Sequence, residues 1–231
     1  MGIAFSFLPF FDACFEQGAL QSPVLALGSL SIHESPENIA VLAARHSYST
    51  LAGDHSVRAL MRDRYGLTAY QDCDVNGLAD LNLDIGKPLD SEWKGKFGTV
   101  LNGGTIEHIF DVRQAMTNVH QLVRAGGTII HLAPVTWINH AFVNFNPKIF
   151  RSIAEVNCYE ILVENFQVPS AANVEKDCYR YLATERNTDD TIRDRVSAVL
   201  NAPSLPSNIL YMIAMRKISE GDFNIPYDVA T

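Results

Sequence analysis

The chain has 231 residues, a formal net charge of −8 and 47% apolar side chains. That length and apolar content suit one large α/β domain or two small ones with a sizeable core. The acidic balance, with no Lys/Arg cluster against it, argues against a sequence-independent nucleic-acid surface or an anionic membrane as partner.

The opening MGIAFSFLPFF is apolar but has no basic start and no long apolar run. It reads as a packed segment rather than a leader or a membrane span, and the aromatics of FSFLPFFDACF read as core or lid. The first strand is Val24–Leu27, ending in a turn on Gly28 and Ser29. Ser35-Pro36-Glu37 combines a cap, a first-turn proline and an acid, which predicts a helix through about Ala44. A second helix is expected from Asp54, as its cap, to Tyr65, stopped by Gly66.

The strand LTAYQDCD follows and ends in Asp72 and Asp74. LADLNLD alternates, with Ala79, Leu81 and Leu83 on one face, and predicts a third strand ending at Asp84. FGTVLNGGT is a short apolar strand running into Gly103-Gly104. The next helix has Asp111 as cap, an inward stripe of Val112, Ala115, Met116, Val119 and Leu122, and Gly126-Gly127 as its stop. TIIHLAP is a buried strand ending at Pro134. Asn146-Pro147 opens another helix, with Ile149, Phe150, Ile153 and Ala154 inward, and YEILVENFQV is a further strand. Residues 169–207 are polar and predict a helical insertion before the last strand, NILYMIAMRKI. Strands alternating with helices predict a parallel α/β sheet covered on both faces, in a single domain over 1–231.

Ligands of open α/β sheets bind beyond the carboxyl ends of the strands. The side chains expected there are Gly28, Ser29, Asp72, Asp74, Asp84, Asn102, Gly103, Gly104 and Glu107. An acid after the second strand can accept hydrogen bonds from both hydroxyls of a ribose, and glycine at a strand end admits a ligand close to the backbone. Each part alone is more often only a turn or a solvated strand end than a ligand contact; together they suit an adenosine-containing cofactor. His108, beside Glu107, and His140, in the loop WINHAFVNFNP, are the candidate bases, because imidazole titrates near neutral pH. Trp137, Phe142 and Phe145 of that loop could line an apolar acceptor pocket. His131 lies within a strand and reads as a core histidine. Cys14, Cys73, Cys158 and Cys178 form no Cys-x-x-Cys pair and read as small hydrophobes in a reducing cytoplasm. His33, His46, His55 and His120 share no ligand spacing, so no metal is expected.

FGTVLNGGTIEHIFDVRQAMTNVHQLVRAGGTIIHLAP resembles the second half of class I S-adenosylmethionine-dependent methyltransferases. The likeness is carried by Glu107-His108 after an apolar strand, by Arg124-Ala125-Gly126-Gly127, and by the strand ending in Pro134. LADLNLDIGKPL is similar to the family's acidic third strand, and NILYMIAMRKI to its final antiparallel strand, with Lys217 as the basic end. The match is strong over about residues 68–168. It implies a Rossmann-like seven-stranded mostly parallel sheet with helices on both faces and the last strand antiparallel. It also implies S-adenosylmethionine as cofactor: Gly28 and Ser29 beside its methionine part, Asp72 or Asp74 on the ribose, Asp84 and Ile85 flanking the adenine, and Asn102, Gly103 and Glu107 near the sulfonium and the acceptor. The first loop departs from the family in keeping only Gly28 of its glycines, and Gly98 stands where an Asp is usual.

The resemblance implies methyl transfer to oxygen or nitrogen of a small molecule by a cytoplasmic enzyme, and the acidic balance disfavours nucleic acid or membrane as partner; a homodimer stays open. A second reading keeps the cleft without the transfer: a methyltransferase-like protein that binds a ligand, serves as a subunit or runs another reaction. A third, a nicotinamide-dependent oxidoreductase, lacks the second and third glycines of its fingerprint in GSLSIH.

Overall fold

A computed structural model of the chain describes residues 2–46, 53–137, 139–167 and 208–228. Nine strands and five α-helices alternate among them: β1 (Gly2–Ile3), α1 (Leu8–Glu16), β2 (Val24–Leu27), β3 (Ser31–Ile32), α2 (Pro36–His46), α3 (Val57–Tyr65), β4 (Tyr70–Asp74), β5 (Leu81–Asn82), β6 (Phe97–Asn102), α4 (Val112–Leu122), β7 (Val123–Pro134), α5 (Lys148–Val156), β8 (Tyr159–Gln167) and β9 (Leu210–Lys217). Seven strands form one sheet in the order β5-β4-β2-β6-β7-β9-β8, and β1 and β3 pair separately. The pairs from β5 to β7 are parallel, while β9 runs antiparallel to both β7 and β8. This is the Rossmann-like α/β arrangement expected from the sequence, with its last strand antiparallel.

The alternation of side chains explains why both faces need helices. Val24 and Ala26 of β2 enter one core, together with Phe10 and Phe11 of α1, Ile39 of α2 and Leu60 of α3. Leu25 and Leu27 enter the other, with Met116 and Val119 of α4 and Phe150 and Ile153 of α5. A strand apolar on both sides is stable only when covered on both sides. Of the N-terminal aromatics Phe7, Phe10 and Phe11 are core, whereas Phe5 is partly buried and Phe15 is exposed.

Several boundaries differ from the sequence expectation. The cap of α3 is Ser56, whose side chain accepts from the Ala59 amide, while Asp54 holds the Ser56 amide one step earlier. The helix ends on Gly66 as expected. Asp111 caps α4 by accepting from the Gln114 amide. That helix stops at Leu122 rather than at the Gly-Gly pair, because Val123 already pairs with Phe97, and β7 carries its register irregularity there. The third strand is only Leu81–Asn82. At Gly98 a Cβ would stand 2.7 Å from the Ser22 carbonyl oxygen, so the chain at 21–22 leaves no room for the usual Asp. Cys14 and Cys73 are buried, but Cys158 is exposed; Cys178 and the expected insertion at 169–207 lie outside the described residues.

Candidate functional site

The sheet order reverses direction at β2: the chain passes to β4 and β5 on one side and to β6 and β7 on the other. The crevice beyond the carboxyl ends of these strands is where such sheets bind ligands. Two cavities open there. One, of about 350 Å³, is lined by Gly28, Ser29, Asp74, Asp84, Ile85 and Thr105, with His108 at its edge. The other, of about 410 Å³, is lined by Gly103, Gly104, Glu107, Trp137 and His140, with Leu132 behind them.

In the first cavity Gly28 has φ 78° and donates its amide to the Cys73 carbonyl across the sheet. A Cβ there would stand 2.9 Å from Thr105 Oγ1, so the turn requires glycine for its backbone angle and for its space. Thr105 Oγ1 donates to the Leu27 carbonyl, which stitches the turn after β6 to the end of β2. Asp74 Oδ1 accepts the amides of Val75 and Asn76, and Oδ2 lies 4.0 Å from the place of a Gly28 Cβ.

Asp72 is placed differently. It and Asp80 each accept the other's backbone amide, and Arg58 pairs with both, so Asp72 fastens the edge of the sheet away from the cavity. Asp84 accepts the Gly86 amide and pairs with Lys87 at 2.9 Å; both influences hold its carboxyl below the usual range, the Lys87 hydrogen bond most. Ile85 is buried, and Asn118 of α4 donates to the carbonyls of Ile85 and Lys87, which fixes this loop against the helix.

Asn102 turns inward. Its Oδ1 accepts the amides of Thr105 and Ile106, and its Nδ2 meets His131 Nδ1 at 3.3 Å. It shapes the turn of Gly103 and Gly104 from beneath instead of lining either cavity. Burial pushes the His131 imidazole down to about 3, so the ring is neutral and accepts from the Asn102 amide. Gly103 is close to Leu30: a Cβ at Gly103 would stand 2.7 Å from Leu30 Cδ1. Leu30 in the loop after β2 thus rests on the glycine of the turn after β6.

The 3₁₀ turn Ile106–His108 and the loop after β7 are joined by backbone hydrogen bonds: the amides of Phe142 and Val143 donate to the Glu107 carbonyl. This contact sets His140 Nε2 3.8 Å from Glu107 Oε1 and the His108 and His140 rings 5.0 Å apart. Trp137 stacks on His140 with centroids 4.2 Å apart. Glu107 is 1% exposed, its Oε2 has no hydrogen-bond partner, and burial raises its carboxyl to about 7. Burial first, and His140 second, lower the His108 imidazole below its ordinary value. Phe142 is exposed and packs edge-on against Phe110, whereas Phe145 is core.

Of the residues expected from the sequence at the strand ends and loops, the structure brings Gly28, Ser29, Asp74, Asp84, Ile85, Gly103, Glu107, His108 and His140 to the two cavities. Sequence reasoning missed Thr105 and Asn118, the second of which is signalled only by an Asn facing inward beside the apolar stripe of α4. It also did not foresee that Glu107, His108 and His140 meet, with one donor atom of each within 4.8 Å of the others.

No family model matches the chain, and no curated protein does. Among solved structures it is similar to a SAM-dependent methyltransferase from Archaeoglobus fulgidus, with 12% identity and a TM-score of 0.44 over 91% of this chain and 94% of that one. It is also similar to the antibiotic-resistance methyltransferase Kmr (10% identity, TM-score 0.34, 89% and 92% covered). An S-adenosylmethionine dependent methyltransferase from Mesorhizobium loti is a third (14%, 0.31, 91% and 97%). At these identities and scores the likeness concerns the course of the chain, and the chemistry of the cleft rests on its own residues.

Proposed function

We propose that the chain is an S-adenosylmethionine-dependent methyltransferase acting on oxygen or nitrogen of a small molecule. The observation that carries this reading is the convergence of Gly28, Asp74 and Ile85 from β2, β4 and the loop after β5 on one cavity, with His108 on its lining paired to His140 of the cavity beside it. The residues fit the cofactor. Gly28 leaves the space a Cβ would fill, Asp74 turns Oδ2 toward it, and Ile85 offers an apolar face for a base. When bound, S-adenosylmethionine supplies a methyl carbon already activated by its sulfonium, so the protein's part is proximity and alignment.

Gly28 and Ser29 hold the amino-acid end and Asp74 the ribose hydroxyls. Trp137 excludes water from the second cavity and orients His140 by stacking. His140 Nε2 takes the acceptor's proton, and the Glu107 carboxylate stabilises the imidazolium that forms. His108 stands at the edge between the cavities as the alternative acceptor of that proton. The acidic surface and the 410 Å³ cavity favour a small acceptor over nucleic acid.

Calorimetric titration of the full chain with S-adenosylmethionine and S-adenosylhomocysteine, in the presence of a chelator, tests the reading. One site should appear for each, and Asp74→Asn should weaken both by about tenfold, whereas Asp72→Asn should not. No heat at millimolar ligand overturns it. The second reading, a cleft that binds without transferring, is favoured by Leu30 resting on Gly103, which narrows the passage between the two loops. Tight cofactor binding with no methylated product across a broad acceptor screen would select it.

A further inference from the structure

We propose that Glu107, His108 and His140 form a binding site for a divalent transition-metal ion where the two cavities meet. The three come from a 3₁₀ turn and from a loop held to it by the Phe142 and Val143 amides, so the group is fixed by backbone rather than gathered by chance at a surface. One donor atom from each side chain lies within 4.8 Å of the other two. Ligands around one ion with bonds of about 2.1 Å stand roughly 3 to 4 Å apart. The exposed His108 and the half-buried His140 can close that difference by rotating their rings.

A second observation points to a ligand. Glu107 is buried, yet its Oε2 has no hydrogen-bond partner, and His140 at 3.8 Å from Oε1 is beyond hydrogen-bond distance. A buried carboxylate aimed at two imidazoles without bonding either is a set of donors that lacks its centre. Two imidazoles and one carboxylate are the donor set of catalytic zinc and non-haem iron sites, with positions left open for water or substrate. Imidazole donors favour zinc, iron, cobalt or nickel over magnesium and calcium. Trp137, stacked on His140, fixes the ring plane as an outer partner does for a ligating histidine.

Glu107 and His140 line the same cavity as Gly103 and Gly104, so an acceptor oxygen bound there as an anion would lie beside the ion. That last step rests on the methyl-transfer reading; the metal site itself does not. With an ion in place the imidazoles would act as ligands, and the ion would lower the pKa of an acceptor hydroxyl so that its proton passes to solvent water.

Cobalt(II) titration of the untagged, chelator-stripped full chain tests the site, without S-adenosylmethionine present. A visible absorption band should saturate at one equivalent and lack the thiolate charge-transfer signature, and the melting temperature should rise with cobalt. Glu107→Gln and His140→Asn should each weaken binding at least about tenfold, and His55→Asn should bind like the unaltered chain. Absence of a saturating band overturns the site, as does a band that survives His140→Asn. Should Glu107→Gln fail to fold, His140→Asn at the partly exposed ring decides alone. Because the cofactor titration is run with chelator and the cobalt titration without cofactor, each reading can fail while the other stands.

Discussion

At the scale of single residues, two positions carry more than their size suggests. Gly28 combines a left-handed backbone with a contact that leaves no room for Cβ. Gly28→Val should cost about 1–3 kcal/mol of stability and abolish measurable cofactor binding, which calorimetry beside a denaturation curve will separate. His131 is wholly buried and neutral, with its imidazole pushed down to about 3 against an ordinary 6.5. The unfolded chain therefore binds the extra proton throughout that window, and stability is lost as pH falls from 6.5 toward 3. Between pH 6.5 and 5 the loss from this one ring should be about 2 kcal/mol. His131→Gln should flatten the acid limb of a urea-unfolding series by that amount, even if it lowers stability at neutral pH.

Among elements, the join between α4 and β7 depends on a residue of β9. Lys217 is fully buried, and its Nζ donates to the carbonyls of His120 and Val123 and to Glu220. It satisfies the last turn of α4 in place of the glycine stop expected from the sequence. Lys217→Met keeps the apolar stem but leaves both carbonyls unpaired, and equilibrium unfolding should register a loss of about 3 kcal/mol. The elements themselves were legible because local signals agree: the strands β2, β6 and β7 are apolar on both sides, Asp111 caps, and Gly66 stops. What escaped is what depends on partners distant in sequence. Nothing within VRAGG says that Val123 pairs with Phe97, and LADLNLD alternates for seven residues although only Leu81 and Asn82 find a neighbour in β4. The site divides in the same way. Strand-end residues such as Gly28 and Asp74 follow from topology alone. The meeting of Glu107 with His140 arises from two backbone hydrogen bonds across a loop, and Asp72 and Asp74 could be told apart only by the direction in which Arg58 and Asp80 draw the first.

For the whole molecule, the two cores on opposite faces of the sheet meet the same strands, and the cleft lies at their common edge. A ligand held by β2, β4 and the loop after β5 therefore braces elements that pack on both sides. S-adenosylhomocysteine at a hundred times its dissociation constant should add about 2.7 kcal/mol to the folded state. For a chain of this length that is a rise of roughly 5–10 °C in melting temperature, readable by calorimetry, and Asp74→Asn should roughly halve the rise at the same ligand concentration.

The segment from Gly103 to His108 is a partition with a chamber on either side: Thr105 and His108 face one, and Gly103, Gly104 and Glu107 the other. It is seated from below by Asn102, clamped at one end by Leu30 and at the other by the amides of Phe142 and Val143. A wall so thin and so firmly held cannot shift for one occupant without the other sensing it. An occupant of the first chamber that moved this turn would change the affinity of the second, and by thermodynamic reciprocity the second would change the first by an equal factor. The two halves of the cleft are in this sense a single instrument, tuned at one short turn of chain.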